Sequence, residues 1–331
     1  MNDRMLITGA SGFLGYHLIN AAREKGLEVD AGIRRTSDTS HLAQMGVSLV
    51  EVPYDKPLEL DQLMATRGYR CVVHAAAVTR AKDPAIFRRV NVEYAEALAR
   101  AAVPVVEKFV FISSLAAIGP IAYDESAFIH EDTEAHPITA YGQSKMQAEG
   151  RLKGIAGLPL TIVRPTAVYG PRERDLFVLF RTIAGGVDAY IGKRPQRLSF
   201  VHAEDLAALI IAAATQPTEG RDNTRCYNVS DGKVYGRYEM ADTLKALYGR
   251  NALRVHLPVS LVKTAASIMA YAYRWSTATP VLYPERIGEL TAQNWACDIG
   301  KAVLELGYSP KYDLRSGLEQ TIAWYKANQW I

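Results

Sequence analysis

RMLITGASGFLGYHL (4–18) is the stretch on which the reading of the chain turns. RMLIT (4–8) is a short apolar run with the character of a strand. Glycines then stand at 9, 12 and 15, and a helical pattern runs over 12–25. A strand that turns through glycines into a helix leaves the first helical N–H groups unpaired at the positive end of the helix dipole. Such an end is a ready seat for an anion. Gly9 permits the tight turn, Gly12 lets a bound group approach the backbone, and Gly15 lets the helix pack close to the strand. Ser11, Phe13 and Leu14 fill the turn between them. The spacing is G-x-x-G-x-x-G, whereas the common dinucleotide fingerprint is G-x-G-x-x-G.

Outward from this turn, strand and helix alternate. Apolar strands are expected at 4–8, 28–33, 47–52, 70–76, 108–114 and 160–165, with helices at 12–25, 38–45, 59–66, 84–102 and 141–153. Several of these strands are nearly continuous apolar runs, as a parallel sheet buried on both faces requires. The order predicts an α/β fold: a doubly wound parallel Rossmann sheet with right-handed crossovers. After about residue 165 helices dominate, with short strands near 198–202 and 225–229. A helix at 201–215 packs back on the sheet, and 236–295 is expected to be mostly helical. The predicted organisation is a nucleotide-binding domain over 1–165, with 200–230 returning to it. A mostly helical substrate lobe over 166–199 and 231–331 is interleaved with it.

Bulk properties narrow the partners. The 331 residues suffice for one large α/β domain with a smaller lobe. A net charge of +3, without any run of five like charges, argues against nucleic acid. Cys71, Cys226 and Cys297 are few, odd in number and scattered. They show no metal spacing, so no metal is expected and free thiols in a reducing cytoplasm are. The first residues carry charge at Asp3 and Arg4 and lead straight into a strand, with no signal-peptide core. The most membrane-like stretch, LVKTAASIMAYAYRW (261–275), has an uncharged run of only ten residues, Thr264 to Tyr273. That is too short to span a bilayer. It is expected to be a buried helix or the wall of an apolar pocket.

Two further stretches carry chemistry. The second strand ends in AGIRRTS, with Ile33 where an NAD-binding fold places an acid for the ribose hydroxyls. Arg34 and Arg35 follow, and a guanidinium pairs with a 2′-phosphate that a carboxylate would repel. NADP(H) is therefore preferred, with NAD(H) as the alternative; Asp30 lies too deep in the strand to serve. Asp55, after the third strand, is placed to hydrogen-bond an adenine amino group. In ITAYGQSKMQAEG, Tyr141 and Lys145 stand four apart at the start of a helix and so share a face. A nearby ammonium lowers a phenol's pKa and readies it for proton transfer. Ser113 and Ser114 end the fifth strand, at the edge where ligands meet an open α/β sheet.

Together these residues resemble the extended short-chain dehydrogenase/reductase superfamily over nearly the whole chain. The matching pieces are TGASGFLG, Asp55, HAAA (74–77), RRVNVEYA with Asn91, SS (113–114) and YGQSK (141–145). RPTAVYGP (164–171), FVHAEDLA (200–207) and LGYSP (306–310) also match. The resemblance implies that Tyr141 is the general acid/base and that Lys145 holds the nicotinamide ribose and tunes Tyr141. Ser114, rather than Ser113, polarises the substrate oxygen. It implies a close cofactor surface at Ala75, Ala76 and Ala77, and a bracing role for Asn91. Arg164, Pro165 and Thr166 line the nicotinamide end, and His202 and Asp205 are structural. A homodimer through the helices at 84–102 and 141–153 is common in the superfamily.

The superfamily divides into nucleotide-sugar epimerases and dehydratases with tightly bound NAD, and reductases or dehydrogenases that exchange the cofactor. The arginines after the second strand favour the second branch. So does Leu198, which stands four residues before His202 where sugar epimerases commonly carry a diphosphate-gripping arginine, although Arg197 is adjacent. The apolar 261–275 stretch, followed by TPVLYPERIGEL, favours a bulky apolar alcohol or ketone. Basic residues at 172, 174, 181, 193, 194 and 197 keep the sugar branch open. A non-catalytic NADP(H) sensor is the third reading; such proteins usually lose the Tyr or Lys that this chain retains.

Overall fold

A computed structural model describes residues 4–217, 224–273 and 284–331. The central sheet is built from β1 (Arg4–Thr8), β2 (Glu28–Ile33), β3 (Ser48–Glu51), β4 (Cys71–His74), β5 (Lys108–Ile112) and β6 (Leu160–Pro165). A seventh strand, Arg225–Val229, joins outside β6. Every pairing is parallel. The spatial order is Arg225–Val229, β6, β5, β4, β1, β2, β3. Chain order therefore runs in opposite directions on either side of the β1–β4 pair, and that pair is the topological switch point.

The continuous apolar runs are explained by which faces they serve. Met5 and Ile7 enter one core and Leu6 the other; Cys71 and Val73 oppose Val72; Val110 and Ile112 oppose Phe109 and Phe111. Each strand thus feeds both faces with its period of two. The Phe13–Glu24 and Ala203–Thr215 helices cover one face, through Leu18, Ile19, Leu206 and Ile210. The Pro57–Arg67, Tyr94–Ala102 and Ala140–Lys153 helices cover the other, through Leu60, Leu98 and Leu152. A third cluster, which includes Tyr169, Phe180, Phe200, Leu244, Leu318 and Tyr325, is built without the sheet.

The strand expected near 225–229 pairs with β6 and makes the seventh strand of the sheet. Three expectations are corrected. The helix expected over 84–102 is broken: a π-turn at Arg88–Glu93 separates Pro84–Phe87 from Tyr94–Ala102. The helical 236–295 region contains a strand, Leu253–Leu257, paired with Val187–Ile191. Finally, the apolar 261–275 stretch is no buried helix. In the Val259–Ala272 helix, Val262 and Ala266 are buried, while Leu261 and Ile268 are 60% and 65% exposed. The helix meets its neighbours along a single line of residues, Val259, Val262 and Ala266, against Ile287 and Ile191. Residues 274–283, which include Arg274 and Trp275, lie outside the described residues. No helix among the described residues is long and apolar enough to cross a membrane.

Candidate active site

The loops after β1 and β4 are pinned together at the switch point. Thr8 Oγ1 shares a 2.8 Å hydrogen bond with His74 Nδ1, and the Ala76 N–H donates to Thr8 Oγ1 at 3.3 Å. Burial drives the His74 pKa down to about 3, with the Lys145 charge adding to it, so the ring is neutral. Gly9 sits between the loops at φ +69°, and a Cβ there would stand 2.7 Å from Ala76 N. Only glycine fits that turn. A Cβ on Gly15 would fall 2.4 Å from Gly9 O, so the helix leaves the turn in direct contact with it.

A cleft opens above this junction. Its walls are Gly9, Ser11, Gly12, Gly32, Ile33, Arg34, Ser37, Tyr54, His74, Ala75, Ala76, Ala77, Val90 and Tyr94. The Phe13–Glu24 helix points its start here, with no side-chain cap and no acidic residue in its first turn. Its N–H groups and positive end stay available to an anion. At the opposite lip, Arg34 and Arg35 are exposed and form no ion pair among the described residues; Arg34 lines the cleft and Arg35 does not. The Arg34 N–H donates to Ser37 Oγ at 3.0 Å, closing the turn that presents both side chains. The rings of Tyr54 and Tyr94 stack at 4.8 Å and 9° to make a flat aromatic wall. These features fit a dinucleotide: a side-chain-free cradle for the pyrophosphate, an aromatic wall, and an unpaired cation at the second-strand end.

Other expected residues stand outside the cleft wall. Phe13 packs edge-on against His17, and Leu14 packs against the core. Asp55, on the exposed rim, accepts from Arg89 Nη2 on both oxygens at 3.0 Å and from Tyr94 OH at 2.8 Å. Asp30 is buried in the sheet, accepting from Tyr69 OH at 2.8 Å and Arg67 Nη1 at 3.4 Å. Asn91, for which a bracing role is expected, is a clamp within the π-turn and does not line the cleft. It accepts from the Val78 N–H and donates to Val78 O and to Ser144 Oγ, tying the loop after β4 to the 140–153 helix. Pro165 ends β6, and the Thr166 N–H and hydroxyl both donate to Val229 O, stitching the seventh strand to the sheet.

Ser114, Tyr141 and Lys145 converge one strand further along. Thr139 caps the helix of Tyr141 by accepting from the Gly142 N–H at 3.0 Å. A Cβ on Gly142 would lie 2.3 Å from Ala116 O, so glycine lets this helix press against the Leu115–Ala117 turn that carries Ser114. Ser114 Oγ accepts from the Ala116 N–H at 3.1 Å and is hydrogen-bonded to the Tyr141 phenol. Burial pushes the phenol up to about 12; the Ser114 bond opposes the shift and the Glu289 charge adds to it. Lys145 Nζ donates to Ile112 O at 2.7 Å and sits 4.7 Å from the centre of the Phe111 ring. Burial pulls its ammonium down to about 7, against the opposing charge of Glu149. Desolvation dominates both groups, and at neutral pH the phenol keeps its proton.

The paired serines divide their work. Ser113 Oγ donates to Glu149 Oε1 at 2.5 Å, and Glu149 also receives Arg164 Nε at 2.9 Å and Nη2 at 2.5 Å. Both charged side chains are buried. Ser113 and Arg164 are thus committed to an internal ion pair, which leaves Ser114 as the serine beside Tyr141. His202 Nδ1 caps the start of the Ala203–Thr215 helix, and burial lowers its pKa to about 4. Asp205 receives the N–H groups of Lys311 and Tyr312 at 3.0 and 2.9 Å.

The basic residues weighed for a diphosphate do not converge. Arg172 stacks on Tyr16, Arg174 faces Trp330 and Arg181 faces Phe177. Arg197 lies against Phe128 and donates to the carbonyls of Asp124 and Ala127. Lys193 and Arg194 are exposed. The described residues contain no His/Cys/Asp/Glu group able to hold a metal, and all three cysteines are free. Ser37, Val90 and Tyr94 were not singled out in the sequence. Their place depends on the 34–37 turn and the π-turn, neither of which leaves a periodic signal.

Comparison with known proteins gives this geometry its context. The chain is 28% identical to a ceramide reductase of Caulobacter vibrioides, covering 98% of this chain and 95% of that one. It is 26% identical to a UDP-glucose 4-epimerase of Vibrio cholerae, covering 99% and 97%. Its fold matches that of UDP-glucose 4-epimerase from Thermotoga maritima, solved with UDP-glucose, at a TM-score of 0.79 and 22% identity over 98% and 99% of the two chains. The model of the NAD-dependent epimerase/dehydratase family matches residues 5–230. The chain belongs to that family, and is an NAD(P)-dependent enzyme of the extended short-chain dehydrogenase/reductase superfamily.

Proposed function

We propose that this protein is an NADP(H)-preferring oxidoreductase that interconverts the carbonyl and secondary alcohol of a bulky, apolar substrate. The observation that carries the choice of branch is Arg197. It stands next to Leu198, where the arginine is missing, and its guanidinium is spent on the carbonyls of Asp124 and Ala127. A diphosphate would have to displace those bonds. Similarity to a ceramide reductase over nearly the full length supports the same branch. The unpaired Arg34, beside Ser37, favours a 2′-phosphate at the cleft.

A nicotinamide cofactor in this cleft supplies or accepts a hydride at the substrate carbon. Gly9, Ser11 and Gly12 hold its pyrophosphate, with Ala75, Ala76 and Ala77 giving a surface without long side chains. Ser114 donates to the substrate oxygen and fixes its position, and Tyr141 O–H delivers the proton to that oxygen. A phenol held in its protonated form suits the reductive direction. Lys145 supplies a cation that stabilises the phenolate left behind. The second lobe, over 166–199 and 231–331, takes the body of the substrate.

The second reading is a nucleotide-sugar epimerase, favoured by the similarity to the Vibrio epimerase. Denaturing the purified protein and identifying the released nucleotide separates the two. The proposal expects a protein that releases little nucleotide and then titrates with NADPH. Stoichiometric NAD in the released fraction would favour the epimerase.

A further inference from the structure

The Val259–Ala272 helix is amphipathic, and only half of its apolar side is covered by the protein. At about 100° per residue, Val259, Val262 and Ala266 fall on one line, which meets Ile287 and Ile191. Leu261, Ala265, Ile268 and Ala272 fall on a second line at i, i+4, i+7 and i+11, and all four are exposed. Met269, also exposed, joins this stripe to the buried line, and Ser260, Lys263, Thr264 and Ser267 take up the remaining arc. The stripe runs the length of the helix, about 21 Å, and ends beside the exposed rings of Tyr271 and Tyr273. Charge follows the same region. From 243 to 284 the chain has no Asp or Glu, while it has Lys245, Arg250, Arg254, Lys263 and Arg274. Lys263, on the helix itself, is exposed and forms no ion pair among the described residues. The acids on the neighbouring elements are engaged: Asp83 accepts from the Ala85 N–H, and Glu285 accepts from the Ala140 N–H at 2.9 Å.

The helix also stands close to the site. Lys82 Nζ donates to Tyr273 O at 2.7 Å, which ties the helix end to the loop that continues from the cleft wall at Ala75, Ala76 and Ala77. On its covered side the helix packs through Val262 and Ala266 on Ile287, and Glu285 of that same Pro284–Thr291 helix bonds the start of the helix of Tyr141. One helix therefore separates the exposed stripe from the helix of the proton donor.

We propose that this stripe docks the protein on the surface of an anionic phospholipid bilayer. The helix lies in the plane of the headgroups, with Leu261 and Ile268 among the acyl chains and Lys263 at the phosphates. The tyrosines at its end suit the membrane–water boundary, where amphipathic rings collect. A second copy of the chain fits less well, because a two-fold contact through this helix would set two basic, acid-free stretches against each other. The docking surface stands on exposure and charge alone. Its use, to pass an apolar substrate from the bilayer to Tyr141, rests on the reductase reading.

The test is co-sedimentation of the full chain with vesicles of phosphatidylcholine alone and of phosphatidylcholine mixed with phosphatidylglycerol, at low and high salt. Partition into the mixed vesicles is expected to exceed that into the neutral ones by about tenfold or more, and to fall as salt rises. Leu261→Glu together with Ile268→Glu should lower it by about tenfold or more, and Lys263→Glu on the order of fivefold. All three side chains already face solvent, so the melting temperature should stay close to that of the unaltered protein. Leu304→Glu changes an exposed leucine on the Gly300–Leu306 helix, which packs on the Arg225–Val229 strand, and should leave the partition unchanged. No partition into the mixed vesicles, equal partition into neutral ones, or a partition that survives the double change would each overturn the proposal. So would a vesicle-free dimer, seen by sedimentation velocity, that the double change dissolves; the occupant would then be a second copy. None of these readouts needs turnover. Failure of the reductase reading shows separately, as vesicle binding without oxidation of NADPH by a bulky apolar ketone.

Discussion

Replacing Lys145 by methionine measures the electrostatic state of the site directly. Lys145 is fully desolvated, and its ammonium falls from 10.5 to about 7. The unfolded chain holds the proton up to its ordinary pKa, so between these two values the unfolded state binds more protons than the folded one. Stability must then rise with pH across that window. Below about pH 7 the fold carries the whole cost of a buried charge, and the cost diminishes as pH rises toward 10.5. The shift corresponds to about 5 kcal/mol at pH 6 and about 2 kcal/mol at pH 9. Methionine keeps much of the apolar stem and cannot charge, but it gives up the hydrogen bond to Ile112 O, a loss of about 1 kcal/mol at any pH. Lys145→Met is therefore expected to be more stable than the unaltered protein at pH 6, with the advantage shrinking by roughly 2–3 kcal/mol by pH 9. Urea unfolding of the cofactor-free protein at both pH values reads this difference. An advantage of equal size at pH 6 and pH 9 would refute the reasoning, because it would mean that Lys145 keeps its ordinary pKa.

Three other substitutions probe neighbouring parts of the account. Arg34→Glu places a carboxylate where a 2′-phosphate is proposed to sit, and should weaken NADPH on the order of 100-fold with little effect on NADH; fluorescence titration with both nucleotides checks it. Glu149→Gln strands the buried Arg164 and should cost about 3–5 kcal/mol in urea unfolding, whereas Glu149→Leu combined with Arg164→Met should recover most of the loss. Gly142→Ala forces the Tyr141 helix away from Ala116 O, and should lower kcat about 10- to 100-fold while nucleotide affinity stays close to normal.

The sheet was legible because each strand is buried on both faces and writes that burial into its own residues. Met5, Leu6 and Ile7 need no partner to be recognised as a strand interior. The glycine turn was legible for a similar reason, since Gly9 and Gly15 answer to steric limits a few residues away. Arg225–Val229 is different. A strand near 225–229 is expected, but its pairing with β6, more than sixty residues earlier, is not written in RCYNV itself. The Val259–Ala272 helix misled because composition reports how apolar a helix is, while only its neighbours decide which face they cover. At the site, Tyr141, Lys145 and the serine pair were visible as a motif. The resemblance already favoured Ser114 over Ser113, and the contacts add a physical reason: Ser113 is held by Glu149, a residue whose own partner, Arg164, lies on another strand.

The central claim is net hydride transfer that consumes NADPH. Its most direct test is an absorbance assay of the purified protein with NADPH and a bulky, apolar ketone, with the alcohol quantified alongside. The account predicts one NADPH oxidised per alcohol formed, NADPH used in preference to NADH, and loss of turnover in Tyr141→Phe. Interconversion of UDP-glucose and UDP-galactose with no net change in nicotinamide absorbance, and no oxidation of NADPH by the ketone, would contradict it.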